Sequence, residues 1–292
     1  MSSLQLPVNE LLAGVSEGGP WGVIQQGDCA EVAAGLPRSS FDLLYLDPPF
    51  FTKRDHVGAA QQEAGGDCRL TFSDRWQGGL HEYLAWLEVR LAALIPLLCP
   101  TGVLLLHLDW HAVHYAKVLC DKLLGMDRFQ NELIWYYQTG GASKERFSRK
   151  HDTILVYSRG ETFYFNGKAI AIPRTPKAMK RAQCATGARI RATDTHKNPD
   201  DVLQVPALNP MARERTGYPT QKPVELLLRL ITALCPPNGT VGDFCCGSGT
   251  TLVAAERLGR RWAGADCQAA AVALATQRIA EEKLRNEKGS VP

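Results

Sequence analysis

Short apolar runs alternate along the chain with longer stretches in which apolar residues recur at helical spacing. The short runs predict strands at residues 23–24, 41–46, 103–108, 131–138, 152–158, 240–244 and 262–265. The longer stretches predict helices at residues 29–36, 80–98, 111–124, 223–234 and 250–258, and a last one after residue 266. Strands that alternate with helices in this way predict an α/β fold built on a doubly wound, mostly parallel sheet.

Two segments interrupt the alternation. Residues 51–79 are polar and glycine-rich with weak periodicity, which predicts a long, mobile loop of the kind that often carries function. Residues 163–217 are rich in Pro, Arg, Lys and Thr and predict an insertion or small subdomain. We therefore expect one domain made of residues 1–160 and 216–292, with residues 161–215 inserted into it.

Neither a membrane span nor a secretion signal is expected. The longest apolar stretch, residues 91–108, is interrupted by two prolines and a glycine, and it predicts a helix end, a turn and a buried strand. The N-terminal residues lack a basic start followed by an apolar run. The nine cysteines include no C-x-x-C pair, so we expect reduced thiols, no metal site and a cytoplasmic location.

Charge is distributed unevenly along the chain. Residues 140–222 hold 16 Lys and Arg against 7 Asp and Glu, whereas the remaining residues hold 17 basic and 23 acidic side chains. The formal net charge of +3 therefore hides a local basic excess. Because this excess is gathered in one irregular segment, it indicates a face that binds a polyanion.

A strand, a glycine-rich turn, a helix and a second strand follow one another near the C-terminus. The turn is Gly247-Ser248-Gly249, and Asp266 ends the second strand. Glycines let the backbone approach a ligand, and a carboxylate at that strand end can accept hydrogen bonds from both hydroxyls of a ribose. Leu252 occupies the position of the third glycine of a dinucleotide fingerprint, so the unit favours a nucleoside without a pyrophosphate over a dinucleotide.

The tetrapeptide Asp47-Pro48-Pro49-Phe50 follows a predicted buried strand and therefore lies at the ligand-binding edge of the sheet. Its prolines stiffen the backbone and remove two amide donors, which leaves the Asp47 carboxylate and the Pro48 carbonyl as acceptors. Two acceptors can hold both hydrogens of an amino group on an aromatic ring and turn its lone pair toward a methyl donor. Phe50 can stack on a base that has left the helix. A rigid turn without chemistry is the alternative.

The sequence resembles bacterial amino-methylating DNA methyltransferases of the β arrangement, in which the catalytic motif precedes the cofactor motif. The matching blocks, in the family's order, are GDCAEVAAGLPRSSFDLLYLDPPF, LLLHLDWHAVHYAKVLCDKLLG, NELIWYY with GGASKERFSRKHDTILVYS, and YPTQKPVELLLRLI with GDFCCGSGTTLVAAERLGRRWAGAD. The resemblance implies a Rossmann-like methyltransferase fold that uses S-adenosylmethionine. It also implies double-stranded DNA as substrate, a target-recognition role for the insertion, and restriction–modification as the setting. A homodimer and a cognate restriction endonuclease are open as partners.

The resemblance also assigns residues. Asp47, Pro48, Pro49 and Phe50 are implied to be catalytic. Asp28 is implied to meet the adenine region, and Thr220, Gln221 and Lys222 the methionine end, although a surface role for Lys222 stays open. The residues implied to bind the cofactor are Asp28, Cys29, Thr220, Lys222, Asp243, Cys245, Gly247, Ser248, Gly249, Thr250 and Asp266. The stretch from His107 to Trp110 is implied to border the active site, with a core strand end as the alternative.

One departure from the family and one ambiguity remain. The family reads Asp-Pro-Phe-Cys-Gly before its glycines, whereas here Phe244 and Cys245 replace the proline and the phenylalanine, which leaves the packing and cofactor affinity open. A Pro-Cys pair, which cytosine C5 methylation needs, is absent, because the order is Cys99-Pro100 and Cys235-Pro236. Asp at the first motif position is commoner with adenine N6 than with cytosine N4, so adenine is slightly favoured.

The basic segment should contact the DNA. The residues expected to do so are Lys144, Arg146, Arg149, Lys150, Arg174, Lys177, Arg181, Arg189 and Arg191. Methylation of RNA or of a protein amide is disfavoured by the size of the basic insertion. A non-catalytic DNA-binding protein that keeps a cofactor pocket is supported only by the changed Phe244-Cys245 segment. A nicotinamide dehydrogenase is disfavoured by the missing third glycine.

Overall fold

The computed structural model describes residues 21–63, 66–138, 143–184 and 195–289. Arg189 and Arg191, both expected to contact DNA, lie outside these ranges. The strands are β1 (Val23–Gln26), β2 (Phe41–Leu46), β3 (Asp55–Glu63), β4 (Gly66–Ser73), β5 (Leu98–Leu108), β6 (Phe129–Tyr136), β7 (His151–Ser158), β8 (Ile172–Pro173), β9 (His196–Lys197), β10 (Val202–Gln204), β11 (Thr240–Asp243) and β12 (Arg261–Asp266). The helices are α1 (Cys29–Ala34), α2 (Gly79–Leu94), α3 (Val113–Leu124), α4 (Pro176–Cys184), α5 (Val224–Leu234), α6 (Thr250–Arg257) and α7 (Ala269–Gly289).

Eight of these strands form the central sheet, in the order β1-β12-β11-β2-β5-β7-β6-β10. All neighbouring pairs from β1 to β5 are parallel, and β6 and β10 are parallel as well. Only β7 runs against its neighbours β5 and β6. The prediction of a mostly parallel sheet is therefore confirmed.

Each face of the sheet carries its own hydrophobic core. Along β2, Leu44 and Leu46 pack with α1, α2 and α3, whereas Leu43 and Tyr45 pack with α5, α6 and α7. Side chains of a strand alternate between faces, and a strand buried on both sides reads as a continuous apolar run. This explains why residues 41–46 show no polar alternation, and it confirms the doubly wound arrangement.

The pairing of β2 with β11 positions the predicted motifs. Leu43 is in register with Val241 and Leu44 with Gly242, so the two parallel strands end at the same edge of the sheet. Asp47 follows the end of β2, and Asp243 ends β11. Gly242 makes this close pairing feasible, because a Cβ there would lie 2.5 Å from Leu44 and 2.9 Å from Phe244 and Phe41.

The prediction of a structureless loop over residues 51–79 was wrong. Strands β3 and β4 pair antiparallel in a hairpin, and α2 begins at Gly79. Buried Asp74 holds the base of the hairpin, because its carboxylate accepts hydrogen bonds from the backbone of Phe51 (3.0 Å) and Thr52 (2.6 Å) and from the Trp76 ring nitrogen (2.9 Å). The polar, glycine-rich sequence of a two-stranded ribbon does not show the apolar alternation of a core strand, which is why the pattern missed it.

The predicted insertion is partly continuous with the central sheet. It contains α4, the short pair β8–β9, and β10, which adds the edge strand next to β6. Trp135 of β6 donates to the backbone oxygen of Val205 at 2.8 Å, which fastens this edge. The expected insertion, residues 161–215, therefore includes one strand of the central sheet, and its target-recognition role stays a prediction.

The apolar stretch at residues 91–108 behaves as the two prolines and the glycine predict. Helix α2 ends at Leu94, one 3₁₀ turn follows over Ile95–Leu97, and β5 continues to Leu108. Within the described ranges, no helix combines the length and hydropathy that a membrane crossing requires.

Asp243 is a carboxyl group buried inside this fold, with 2% of its surface exposed. The backbone N–H of Cys245 donates to it at 3.2 Å. Burial nevertheless raises the pKa of Asp243 to about 7, with smaller contributions from the charges of Asp47 and Asp266. The folded protein therefore holds a proton on Asp243 between about pH 4 and pH 7, where the unfolded chain does not.

We predict that Asp243→Asn changes the pH dependence of stability. Because the folded-state pKa is raised, the stabilisation that Asp243 provides is full below pH 4 and is lost as the pH rises to about 7. Relative to the variant, wild type should lose about 2–3 kcal/mol of unfolding free energy between pH 5 and pH 8. Urea denaturation of both proteins across this range measures the difference, and a difference that stays constant with pH would contradict the prediction.

Candidate active site

A cleft opens at the carboxyl edge of β1, β2, β11 and β12. Its lining includes every residue predicted to be catalytic and all but one of those predicted to bind the cofactor. These are Asp28, Cys29, Asp47, Pro48, Pro49, Phe50, Thr220, Lys222, Asp243, Cys245, Gly247, Ser248, Thr250 and Asp266. Residues far apart in the chain therefore form one site.

Gly249 is the exception, because it does not line the cleft. It precedes α6 with φ +74°, and a Cβ there would lie 2.6 Å from the Cβ of Ala275 on α7. A glycine is thus required at position 249, both by the left-handed backbone and by the packing of α6 against α7. The cofactor contact predicted for Gly249 stays a prediction beside this steric role.

The predicted catalytic motif is joined to Lys222 by a buried ion pair. The Lys222 ammonium donates to the two Asp47 carboxylate oxygens at 2.7 and 2.5 Å and lies 4.9 Å from the centre of the Phe50 ring. The side chains are only 8% (Lys222) and 16% (Asp47) exposed. Sequence reasoning expected Lys222 at the methionine end of a cofactor, which stays a prediction, and did not foresee its contact with Asp47.

The backbone after Asp47 is held on two sides. The Tyr83 hydroxyl, on α2, donates to the Pro49 carbonyl at 2.8 Å. Phe51 adopts φ +64°, which is rare for a residue with a side chain, and its N–H is held by Asp74. This support fixes the orientation of Asp47 and Phe50 relative to the cleft.

His107 lies directly behind Phe50, with ring centroids 5.8 Å apart. The imidazole is fully buried, shares a 2.6 Å hydrogen bond with the Tyr45 hydroxyl, and faces Asp152 at 3.4 Å. Burial tends to raise the pKa of Asp152, but hydrogen bonds from His107 and Tyr137 and the nearby charge of Lys222 together lower it. His107 therefore belongs to a polar network behind Phe50, while Trp110, just after the end of β5, is partly exposed.

Asp266 forms the far end of the cleft. One of its carboxylate oxygens accepts from the Gly247 N–H at 2.8 Å and the other from the Gln268 N–H at 2.9 Å. Burial raises the pKa of Asp266, and these two backbone donors oppose that effect. The Cys267 side chain adds a third hydrogen bond to this carboxylate. A carboxylate offers about four lone pairs, so the group can still accept a hydroxyl hydrogen.

Asp28 stands at the start of α1 and is engaged by two donors. It caps the helix by accepting from the Ala30 N–H at 2.9 Å, and it forms a salt bridge with Arg90. Arg90 in turn lies over the Trp86 ring at 4.1 Å. Sequence reasoning missed Trp86 and Arg90, and their spacing of four residues on a predicted helix was the available signal.

The hairpin and the segment before α5 form another part of the wall that sequence reasoning missed. His56 stacks on Phe72 with ring centroids 4.7 Å apart, and Phe72 lies 6.5 Å from Tyr218. All three residues line the cleft together with Thr52. Gln221 ties the second segment together, because it accepts from Thr216 at 2.8 Å and donates to the Glu214 backbone at 2.6 Å.

The departure at Phe244 and Cys245 is accommodated without loss of packing. Phe244 is 2% exposed and meets Phe41 edge-on at 5.6 Å, so it fills the core below the cleft. Cys245 shares a hydrogen bond with Cys29, and this contact lowers the pKa of the Cys29 thiol. The altered segment therefore forms an ordered floor.

Of the basic residues expected to contact DNA, those that the structure describes lie in two places. Lys144, Arg146 and Arg149 are exposed in the segment that leads into β7, and Arg149 lies over the Trp110 ring at 3.5 Å. Lys150 ends this segment and is half-buried. Lys177 and Arg181 are exposed on α4, and Arg174 precedes that helix. The contact with Trp110, which follows the end of β5, brings the first group to the same edge of the sheet as the cleft.

Comparison with known proteins agrees with this geometry. The family model described as DNA methylase, for N6 and N4 methyltransferases, matches residues 41–277. The type II methyltransferase M.ScaI of Streptomyces caespitosus is 25% identical over 89% of this chain and 82% of its own length. The DNA adenine methyltransferase YhdJ of Escherichia coli K12 is 24% identical over 88% of this chain and 82% of its own.

Two solved structures share the fold. The PvuII DNA methyltransferase, specific for cytosine N4, superimposes with a TM-score of 0.60 at 18% identity, over 91% of this chain and 93% of its own. The putative DNA modification methylase TTHA0409 of Thermus thermophilus, complexed with S-adenosyl-L-methionine, gives 0.58 at 22% identity, over 89% and 93%. Since the family model covers most of the chain, from the strand before Asp47 to α7, this protein belongs to the N6/N4 DNA methylase family.

Proposed function

We propose that this protein transfers a methyl group from S-adenosylmethionine to the exocyclic amino nitrogen of a base flipped out of double-stranded DNA, with adenine N6 as the target. The observation that carries the proposal is the position of Asp47-Pro48-Pro49-Phe50 in the same cleft as Asp266 and Gly247. Membership of the N6/N4 family supports amino methylation but leaves the base open.

The residues of the cleft suit S-adenosylmethionine. Asp266 offers carboxylate lone pairs for the ribose hydroxyls, and Gly247, with φ +50° and no side chain, lets the backbone come close to the ligand. Trp86, which lines the cleft, provides apolar surface for an adenine. When bound, the cofactor supplies an activated methyl group on a sulfonium.

Asp47 and the Pro48 carbonyl act on the target nitrogen. Both accept its hydrogens, so the nitrogen lone pair turns toward the methyl donor, and Phe50 stacks on the flipped base. Because Pro49 and Phe51 are held by Tyr83 and Asp74, these acceptors are oriented before the base arrives. Preorganisation of this kind lowers the barrier without reorganisation during the reaction.

The Lys222 ammonium occupies the groups that the substrate should contact, and it must move when the substrate binds. Its ammonium donates to both Asp47 oxygens and lies near the face of Phe50, which are the groups that should receive the amino nitrogen and the base. When the base enters, the ammonium gives up at least one of these contacts. Lys222 therefore balances the Asp47 charge before substrate binding.

The choice of adenine rests on Asp as the first residue of the motif and on YhdJ, a DNA adenine methyltransferase, among the relatives. The PvuII enzyme, which acts on cytosine N4, supports the alternative base. The name of M.ScaI supports a restriction–modification setting, in which a cognate endonuclease would be the partner.

We predict that Asp47→Ala abolishes methyl transfer. In wild type, incubation with genomic DNA and labelled cofactor, followed by digestion to nucleosides, should yield N6-methyladenine. Loss of the acceptor should reduce the rate by at least about a hundredfold while cofactor affinity, measured by calorimetry, stays within about threefold. Turnover like that of wild type would refute the mechanism, and N4-methylcytosine would reassign the base.

We predict that Asp266→Ala weakens cofactor binding. Removing the two ribose acceptors should raise the dissociation constant about ten- to a hundredfold, since each hydrogen bond to a charged acceptor contributes about 1.5–3 kcal/mol. Calorimetric titration with S-adenosylmethionine measures it. A dissociation constant equal to that of wild type would remove Asp266 from the cofactor site.

We predict that charge reversal at Arg146 and Arg149 weakens DNA binding. Each lost phosphate contact should lower the slope of log affinity against log salt by about 0.9. The matched control is Arg38→Glu, because Arg38 is exposed just before β2, at the opposite edge of the sheet. The proposed DNA contact of Arg146 and Arg149 is refuted if the double variant and the control show the same slope of log affinity against log salt.

A further inference from the structure

An aromatic side chain stands fully exposed in the basic segment that precedes β7. Phe147 is 99% exposed, and no other large hydrophobic residue among those described is exposed to a greater extent. It is flanked by Lys144, Arg146 and Arg149, which are also exposed. An exposed aromatic residue among cations fits a partner that offers both negative charge and flat apolar surface.

The segment that carries Phe147 is held by hydrogen bonds. The Ser143 hydroxyl accepts from the backbone N–H groups of Glu145 and Arg146 at 3.3 Å, and the Ser148 hydroxyl accepts from the Ser143 N–H at 3.2 Å. These bonds close a tight turn whose exposed end is Phe147. The outward position of the ring is therefore supported by the turn that carries it.

The turn lies at the same edge of the sheet as the catalytic motif. Arg149, two residues after Phe147, stacks on Trp110 at 3.5 Å, and Trp110 follows the end of β5. Strand β5 is the parallel neighbour of β2, and its residue His107 backs Phe50 at 5.8 Å. A duplex bound by Lys144, Arg146 and Arg149 would therefore contact Phe147 close to the point where the target base leaves the stack.

We propose that Phe147 enters the DNA duplex and fills the space left by the flipped base. The inference rests on the proposed function, because it requires a base that leaves the helix. Flipping removes the stacking neighbours of the adjacent base pairs, and an aromatic ring can replace that contact. Arg146 and Lys144 then hold the phosphates on either side of the gap.

Charge decides between DNA and a second protein surface as the occupant. The turn holds one acidic residue, Glu145, against Lys144, Arg146 and Arg149. A second copy of this turn would bring like charges together around the two rings, whereas the DNA backbone neutralises them. Phe147 is therefore assigned to the duplex.

The test compares Phe147→Ala with wild type on two duplexes that carry the mapped target site. In one the target base is paired, and in the other it faces a mismatched partner, which lowers the cost of flipping. Single-turnover methyl transfer by the variant should fall about ten- to a hundredfold on the paired duplex and stay within about threefold of wild type on the mismatched one. Phe147→Trp should keep most of the wild-type rate on both.

A second measurement reports flipping without catalysis. A fluorescent analogue of the target base should brighten when wild type binds and should brighten less with Phe147→Ala. The matched control is Met126→Ala, because Met126 is 71% exposed just before β6, at the opposite edge of the sheet. This control should behave as wild type in both assays.

Three results would overturn the inference. They are equal losses of rate on the two duplexes, no loss on either, and a change from dimer to monomer in Phe147→Ala, which would assign the ring to a second copy. If wild type itself methylates neither duplex, the proposed function fails and this inference fails with it. Normal wild-type activity without the predicted pattern refutes only the role of Phe147.

Discussion

The parallel pairing of β2 with β11 is the constraint on which the active site depends. It brings the ends of two strands that lie almost two hundred positions apart in the chain to one edge, where Asp47 and Asp243 become neighbours. Strand β12, next to β11, adds Asp266 to the same edge. The hydrophobic residues of these strands thus assemble three carboxyl groups around one cleft.

Three ionised carboxyl groups in one buried region would repel one another, and in this fold each charge is balanced or removed in a different way. Asp47 receives the Lys222 ammonium, Asp266 receives two backbone N–H groups, and Asp243 holds a proton up to about pH 7 because of its burial. Asp47, the group that we propose meets the substrate, is therefore the one whose neutralising partner is a flexible side chain. An ammonium on a four-carbon stem can move aside, whereas backbone donors cannot.

The sequence predicted the parts of this site that depend on local pattern. Continuous apolar runs identified β2 and β11, and the residues after them were expected at the sheet edge. Sequence reasoning missed contacts that arise only in three dimensions, such as Tyr83 on Pro49 and Lys222 on Asp47. The hairpin was missed for another reason, since its strands pair with each other outside the central sheet and so lack the apolar pattern of core strands.

The same geometry explains why the motif alone leaves the base undetermined. The amino groups of adenine and cytosine each carry two hydrogens on a nitrogen conjugated to a ring, and the Asp47 carboxylate with the Pro48 carbonyl can accept both pairs equally well. Phe50 stacks on either ring, since every base has an aromatic face. Discrimination between the two bases must therefore arise from groups that contact the base away from its amino nitrogen. In the described part of the cleft, the aromatic side chains of His56, Phe72 and Tyr218 form a wall that lies outside the catalytic motif.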